Sequence, residues 1–248
     1  MDALKSVSAA RVAVVSGGSS GIGKAIVGQL HAEGWAVFTC ARDPGKLAAL
    51  TRDFPGIGTA VCDVTDRAAV RVFADRVAKA VPAVHLLVSN AGGSREVDFT
   101  ADLSSLDLSL ELRSNTEGAV NLIAEFLPLL RRSSPAAILV VSSGYALAPA
   151  TRAPLYSAAK AALHSLSKSL RRQLAPLGIT VTELLPPVVD TPSVAHRQVP
   201  KLPAKQVAAQ ALAGVRKGRS EVRPGAVRFL PLLLRLWPAL GERIVSKT

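Results

Sequence analysis

Tyr156 and Lys160, set four residues apart in Tyr156-Ser157-Ala158-Ala159-Lys160, are the pair in this chain best suited to moving a proton. Residues i and i+4 share one face of a helix, so the phenol and the ammonium can point into a single cleft. A free phenol, with a pKa of about 10, is a poor base at neutral pH unless nearby positive charge favours the phenolate. The Lys160 ammonium is such a charge. Thirteen residues before Tyr156 stands Ser143, at the end of an apolar run in Ser142-Ser143-Gly144-Tyr145. Taken singly, a helix-face tyrosine, a solvated lysine with its stem on an apolar face and a strand-end serine are the commoner occupants of such positions. Taken at these spacings, they suit acid–base work.

A second group of residues is built for anions. Ser16-Gly17-Gly18-Ser19-Ser20-Gly21-Ile22-Gly23 follows an apolar run and passes directly into a helical run from Lys24 to Glu33. Strand, glycine-rich turn and helix start in that order bring free backbone N–H groups and the helix dipole onto one point, where phosphate fits. Gly17 lets the chain turn, Gly21 permits close approach of a pyrophosphate and Gly23 lets helix and sheet pack, with Ser19, Ser20 and Ile22 completing the turn. Outside a βαβ setting the same residues would read only as a tight turn. The next apolar run ends in Thr39-Cys40-Ala41-Arg42-Asp43. An acidic residue closing that strand would accept from both ribose hydroxyls of NAD, whereas a basic one pairs with the 2′-phosphate of NADP. Arg42 therefore points to NADP(H). The competing reading has Arg42 solvated and Asp43 turned inward on an unphosphorylated ribose. With this cofactor, the positive charge of an oxidised nicotinamide adds to Lys160 in favouring a Tyr156 phenolate.

The elements that must position these groups show as short apolar runs alternating with helix-length stretches. Residues 11–16, 35–40, 59–62, 84–89, 136–142 and 179–185 read as buried strands. Continuous apolar strands with helices between them make a parallel sheet covered on both faces. The expected fold class is α/β: a single-domain, Rossmann-type, doubly wound parallel sheet flanked by helices over residues 1–248, with no repeat or linker dividing it. Residues 187–218, with six prolines or glycines and no strand pattern, are expected as a mobile flap over the site.

Bulk composition narrows the function classes. An apolar fraction of 49% in 248 residues supplies a sizeable core and argues against disorder. The net charge of +12 favours anionic partners, but the cations are scattered and aromatics make up only 4%, which speaks against a nucleic-acid surface. Cys40 and Cys62 form no metal-ligand spacing; no metal is expected, and they read as reduced core thiols of a cytoplasmic protein. Residues 1–10 lack the apolar core of a signal peptide, and no run of about 18 apolar residues is present to span a bilayer.

In order and spacing, Gly17-xxx-Gly21-x-Gly23, Asp63-Val64, Asn90-Ala91-Gly92, Asn115, Ser143, Tyr156-xxx-Lys160 and the stretch from Pro186 through Thr191 resemble the short-chain dehydrogenase/reductase family, across residues 9–195. The resemblance implies that Tyr156 is the general acid in carbonyl reduction and the general base in alcohol oxidation, and that Ser143 holds and polarises the substrate oxygen. It implies that Lys160 bonds the nicotinamide ribose and lowers the tyrosine pKa, while the backbone around Asn115 positions a water linking Lys160 to solvent. Asp63 and Val64 would meet the adenine, Asn90, Ala91 and Gly92 would line the cofactor cleft, and Val189 and Thr191 would hold the nicotinamide carboxamide. The implied activity is NADPH-dependent reduction of a ketone or aldehyde to an alcohol, or the reverse, in a homodimer or homotetramer. Other readings on the same fold are an imine reductase or epimerase of a biosynthetic pathway, and a non-catalytic NADP-binding sensor or scaffold.

Three positions depart from the family pattern. Ser16 stands where Thr is usual and keeps the hydroxyl. Pro187 stands where glycine usually precedes the nicotinamide loop, holding φ at about −65° and removing an N–H. The closing strand is not apparent; residues 225–245 are instead strongly apolar, with Arg228 and Arg235 among them. That segment is expected to be a pocket-closing or subunit-interface helix, interrupted at Pro231 and Pro238, with peripheral membrane contact as the other reading. Around the pocket, Arg95, Arg152, His196 and Arg197 would suit a small-molecule substrate bearing an acidic group, and the apolar C-terminus a bulky hydrophobic one.

Overall fold

The first apolar run becomes β1 (Val12–Ser16), in which Val12 and Val14 face one buried layer while Ala13 and Val15 face the other. Burial on both faces is why the strands read as continuous apolar runs rather than alternating ones. The computed structural model describes residues 11–247; residues 1–10, expected above to lack a signal peptide, lie outside the described residues. After β1 come α1 (Gly21–Ala32), β2 (Ala36–Ala41), α2 (Pro44–Asp53), β3 (Gly58–Val61), α3 (Arg67–Ala80) and β4 (Leu86–Ser89). A short α4 (Leu110–Leu112) runs through a π-helical turn (Arg113–Glu117) into α5 (Gly118–Leu130), followed by β5 (Ala136–Val141), α6 (Pro154–Leu174) and β6 (Ile179–Leu184). The chain closes with β7 (Val189–Asp190), β8 (Leu202–Pro203), α7 (Ala204–Arg216), β9 (Glu221–Val222), α8 (Leu230–Leu236) and α9 (Pro238–Ser246).

Seven parallel strands lie in the order β3-β2-β1-β4-β5-β6-β9, while β7 and β8 pair separately. The strand order reverses between β1 and β4, and a crevice opens at the carboxyl ends of strands at such a switch point. Phe73 of α3, Leu122 and Phe126 of α5 and Leu163 of α6 cover one face. Ile26 and Leu30 of α1, Leu50 of α2 and Val207 and Ala211 of α7 cover the other. The fold is thus the parallel, two-sided α/β sheet that the sequence pattern implies.

Two expectations need correction. A closing strand does exist: β9 runs parallel to β6, with Glu221 opposite Glu183 and Val222 opposite Leu184. Backbone bonds define it, Glu183 N–H donating to Ser220 O at 2.9 Å and Leu185 N–H to Val222 O at 2.8 Å, so two residues leave no side-chain pattern to read. The stretch 187–218 is not irregular throughout. Val207, Ala208, Ala211 and Leu212 recur at helical spacing and bury α7 against the sheet, leaving residues 191–201, with a 3₁₀ turn at Pro192–Val194, to border the cleft. Pro231 and Pro238 each occupy the first turn of a helix, where a missing N–H is tolerated, so the C-terminal segment forms two short helices and not one long one. Among the described residues no helix is long and apolar enough to cross a membrane.

Candidate active site

Backbone geometry shapes the phosphate turn. Gly17 (φ +67°) and Gly21 (φ +54°) adopt the left-handed conformation that glycine enters without strain. The Gly17 N–H donates to Cys40 O at 2.8 Å, tying the turn to the end of β2. A Cβ at Gly21 would lie 2.9 Å from Thr191 Cγ2, so the bare backbone keeps open a space that any side chain would fill. Gly23 is placed differently from its neighbours. It does not wall the cleft: a Cβ there would stand 2.3 Å from the Gly17 carbonyl oxygen and 2.5 Å from Asn90 Nδ2, which makes it a packing position behind the turn.

The Ser16 hydroxyl accepts from the backbone N–H of Asn90 at 2.9 Å and of Ala91 at 3.0 Å, and donates to Val88 O at 3.3 Å. Asn90 Nδ2 in turn donates to Ser16 O at 3.0 Å and Gly17 O at 3.2 Å. The hydroxyl that Ser16 shares with threonine therefore clips β1 to the end of β4.

From this turn a cleft of about 1050 Å³ follows the carboxyl ends of the strands. Ser19, Ser20, Ile22 and Arg42 line its first end, and Arg42 makes no ion pair among the described residues. Asp43 Oδ1 instead accepts from Lys46 N–H at 3.0 Å and caps α2; that bond holds the carboxyl below its ordinary range. The carboxylate considered for an inward turn onto a ribose is thus committed to a helix start. Lys46 also lines this end and was missed in the sequence; its place in the first turn of the helix after Arg42 was the available signal.

Farther along, Asp63 Oδ1 accepts from the backbone and the hydroxyl of Thr65, each at 2.9 Å, and Val64 O accepts from Asn121 Nδ2 at 3.1 Å. Asp63, Val64, Ala91, Gly92, Val189 and Thr191 all border the same cleft. Despite Pro187, the backbone here is held from both sides: Gly144 N–H donates to Pro186 O and Leu202 N–H to Val188 O, each at 3.0 Å.

The four catalytic candidates converge in the middle of the cleft. Ser143 caps the 3₁₀ turn after β5, its hydroxyl accepting from Tyr145 N–H at 3.2 Å. Tyr156 lies in the first turn of α6, started by Pro154, and its ring meets Tyr145 edge-on with centroids 6.3 Å apart. Burial pushes the Tyr156 phenol up to about 12, opposed by the neighbouring Ser143 hydroxyl and augmented by Tyr145. Lys160, 4% exposed, donates to Val141 O at 2.9 Å and lies 5.4 Å from the centre of the Tyr156 ring. Burial lowers the ammonium to about 8, with the charge of Glu183 opposing the drop.

Asn115, 1% exposed, sits in the π-helical turn, a widened turn that breaks the regular helix ladder and recurs at functional sites. Its Nδ2 donates to Gly93 O and to Glu111 O, both at 2.9 Å, while the buried Oδ1 has no hydrogen-bond partner among the described residues. Gly92 leaves room for that oxygen: a Cβ there would be 2.3 Å away.

The far end of the cleft is apolar. Leu230 and Leu233 of α8 and Ile244 and Val245 of α9 line it, closing the pocket from the C-terminus. Of the basic residues considered for an acidic substrate, Arg95 is bound to the buried Glu111 and Arg152 to Glu96, each at 2.8 Å, and Arg197 reaches the Tyr145 hydroxyl at 3.4 Å.

Comparison with known proteins places this geometry in company. A family model described as short chain dehydrogenase matches residues 11–201. An uncharacterized oxidoreductase, DltE, of Bacillus subtilis is 38% identical over 179 residues, 72% of this chain and 71% of that protein. A fatty acyl-CoA reductase of Acinetobacter baylyi is 29% identical over 246 residues, 95% of this chain and 83% of that protein. Among solved structures, a short chain dehydrogenase from Burkholderia cenocepacia in complex with NADP superposes with a TM-score of 0.86 at 26% identity, covering 96% of this chain and 98% of that one.

Proposed function

The chain belongs to the short-chain dehydrogenase/reductase family and is an oxidoreductase, and from that premise we propose that it reduces a ketone or aldehyde to the alcohol with NADPH, or runs the reverse, through Ser143, Tyr156, Lys160 and Asn115. The observation that carries this reading is the convergence of the half-buried Tyr156 phenol, the Ser143 hydroxyl and the Lys160 ammonium in one cleft. NADP(H), when bound, supplies or accepts the hydride. Gly17, Gly21, Ser19, Ser20 and Ile22 form a turn whose open backbone fits a pyrophosphate, and the unpaired Arg42 fits a 2′-phosphate.

In reduction, Ser143 donates a hydrogen bond to the carbonyl oxygen and Tyr156 transfers its proton to that oxygen as the alkoxide forms. A phenol held near 12 is protonated throughout the neutral range, the state a general acid needs. The resulting phenolate is stabilised by the Lys160 ammonium beside it. A water accepted by the free Asn115 Oδ1 returns the proton through Lys160; a buried oxygen without a partner calls for such a donor.

The apolar end formed by α8 and α9 suits a bulky hydrophobic carbonyl compound. The name of the Acinetobacter relative, a fatty acyl-CoA reductase, agrees with an apolar substrate. Arg95 and Arg152 are already paired, which weakens the case for an acidic one. Leu232, Leu236, Trp237 and Leu240 remain exposed on the outer side of the same segment, and we place a homo-oligomer contact there. Light scattering on the purified protein should give a dimer or tetramer that Leu236→Glu shifts toward monomer; an unchanged assembly would move the contact elsewhere. The buried, unbridged Cys40 and Cys62 fit a reducing compartment such as the cytoplasm.

Titration with NADPH and NADH, followed by nicotinamide fluorescence, tests the cofactor. Arg42→Ala should weaken NADPH by about 10- to 100-fold, the range for a charge-assisted contact, and leave NADH nearly unchanged. Equal weakening of both cofactors would remove Arg42 as the selector, and no binding of either would remove the oxidoreductase mechanism.

A further inference from the structure

A fully buried carboxylate lies behind the catalytic helix and has no part in the mechanism above. Glu183 is 0% exposed, in the interior of β6, where the pattern of the strand calls for an apolar residue. Its Oε2 is 2.7 Å from His164 Nδ1, and His164 follows Lys160 by one helical turn on α6. Its other oxygen, Oε1, has no hydrogen-bond partner among the described residues. Ser142, next to Ser143, bonds the Lys160 carbonyl through its hydroxyl at 3.3 Å, so the same short stretch touches both the catalytic serine and the backbone of the catalytic lysine.

We propose that His164 and Glu183 form a positioning dyad for Lys160, in which the buried carboxylate supplies the countercharge that keeps Lys160 an ammonium beside Tyr156. The proposal rests on the roles given to Lys160 and Tyr156 above. Taking a carboxylate out of water costs several kcal/mol unless charges and hydrogen bonds compensate it, so a lone Glu183 would protonate or be replaced without loss. His164 compensates it in either of its protonation states, because Nδ1–H can donate to the carboxylate from the neutral ring as well as from the cation.

The other charged groups around the dyad are held by partners of their own. Glu221, opposite Glu183 on β9, shares its face and would repel it, but is paired with Arg223. Arg171 of α6 is turned onto Val181 O at 3.1 Å and Ser220 O at 2.7 Å. Lys160 itself makes a single hydrogen bond, to Val141 O, among the described residues. A buried ammonium with one neutral acceptor needs an opposing charge nearby, and the β5–β6 register supplies one: Glu183 stands opposite Val140, on the sheet face that α6 covers and one residue from the Val141 carbonyl that Lys160 bonds. Burial weakens the ammonium and the Glu183 charge opposes that effect. For Glu183, burial raises the carboxyl above its ordinary range, with His164 and Ser142 opposing that rise and Glu221 adding to it.

The test reads Lys160 directly and needs no substrate. In protein labelled with ¹³C at its lysines, the Lys160 signal is identified by its loss in Lys160→Arg and followed against pH. Glu183→Gln should lower the Lys160 titration by about one unit or more, the scale expected for losing a nearby opposite charge, while Glu183→Asp, which keeps the charge, should stay close to the unchanged protein. The alkaline limb of the pH–rate profile should move the same way. Glu183→Leu provides the same reading if the glutamine variant does not fold, since an apolar replacement of a buried charge is often well tolerated. A Lys160 titration unmoved by these substitutions overturns the proposal. Full turnover in Tyr156→Phe would instead overturn the catalytic reading, and the lysine titration would still decide the dyad.

Discussion

Tyr156→Phe lowers turnover by about a thousandfold and leaves NADPH affinity close to that of the unchanged protein. The size follows from removing a positioned acid from the proton-transfer step, an effect of about 10²- to 10⁴-fold. The substitution deletes one oxygen and keeps the ring, so the edge contact with Tyr145 and the position of the ring 5.4 Å from Lys160 Nζ both survive. What disappears is a phenol proton that burial holds near 12, beside the Ser143 hydroxyl. A melting curve and an NADPH titration on the same preparation separate lost chemistry from lost folding. A loss below tenfold would mean that another group delivers the proton. Retained binding of a protein partner with no turnover in either form would favour the sensor or scaffold reading.

Much of this site was readable in the sequence because its parts are local. Tyr156 and Lys160 are linked by one helical turn, and the phosphate turn is a run of eight residues, so spacing alone places their side chains. The sheet was readable for a related reason: its strands are buried on both faces, which turns each into an unbroken apolar run. The failures are long-range. β9 exists only because backbone groups at 183 and 185 find partners at 220 and 222, and no side-chain pattern records that pairing. The helical repeat of α7 was present in Val207, Ala208, Ala211 and Leu212, but the prolines and glycines around it outweighed it. Nor could spacing show that Arg95 and Arg152 are bound to Glu111 and Glu96, which changes the substrate argument, or that Glu183 faces His164 from a neighbouring element. Gly23 shows what spacing leaves out within a recognised motif: its place in the sequence implies a packing role, and the structure names the groups it packs against, the Gly17 carbonyl and Asn90 Nδ2.

That placement leads to a large effect from a small substitution. Gly23→Ala should weaken NADPH binding by about 100-fold, the scale expected when a site is displaced by about 1 Å, and destabilise the fold by about 1–3 kcal/mol through overpacking. The added Cβ would meet the Gly17 carbonyl oxygen at 2.3 Å and Asn90 Nδ2 at 2.5 Å, about 1 Å inside normal contact. No side-chain rotation relieves the first contact, because the oxygen belongs to the backbone of the turn. Moving Asn90 would break its bonds to Ser16 O and Gly17 O, which hold that turn against β4. Gly34→Ala is the matched control. Its φ of +76° also disfavours a side chain, at about 1–2 kcal/mol, but nothing lies within 4 Å of the added carbon. It should lose stability without losing cofactor affinity. Equal NADPH affinity in both variants would show that the turn absorbs the methyl group, and that Gly23 does not set the geometry of the phosphate site.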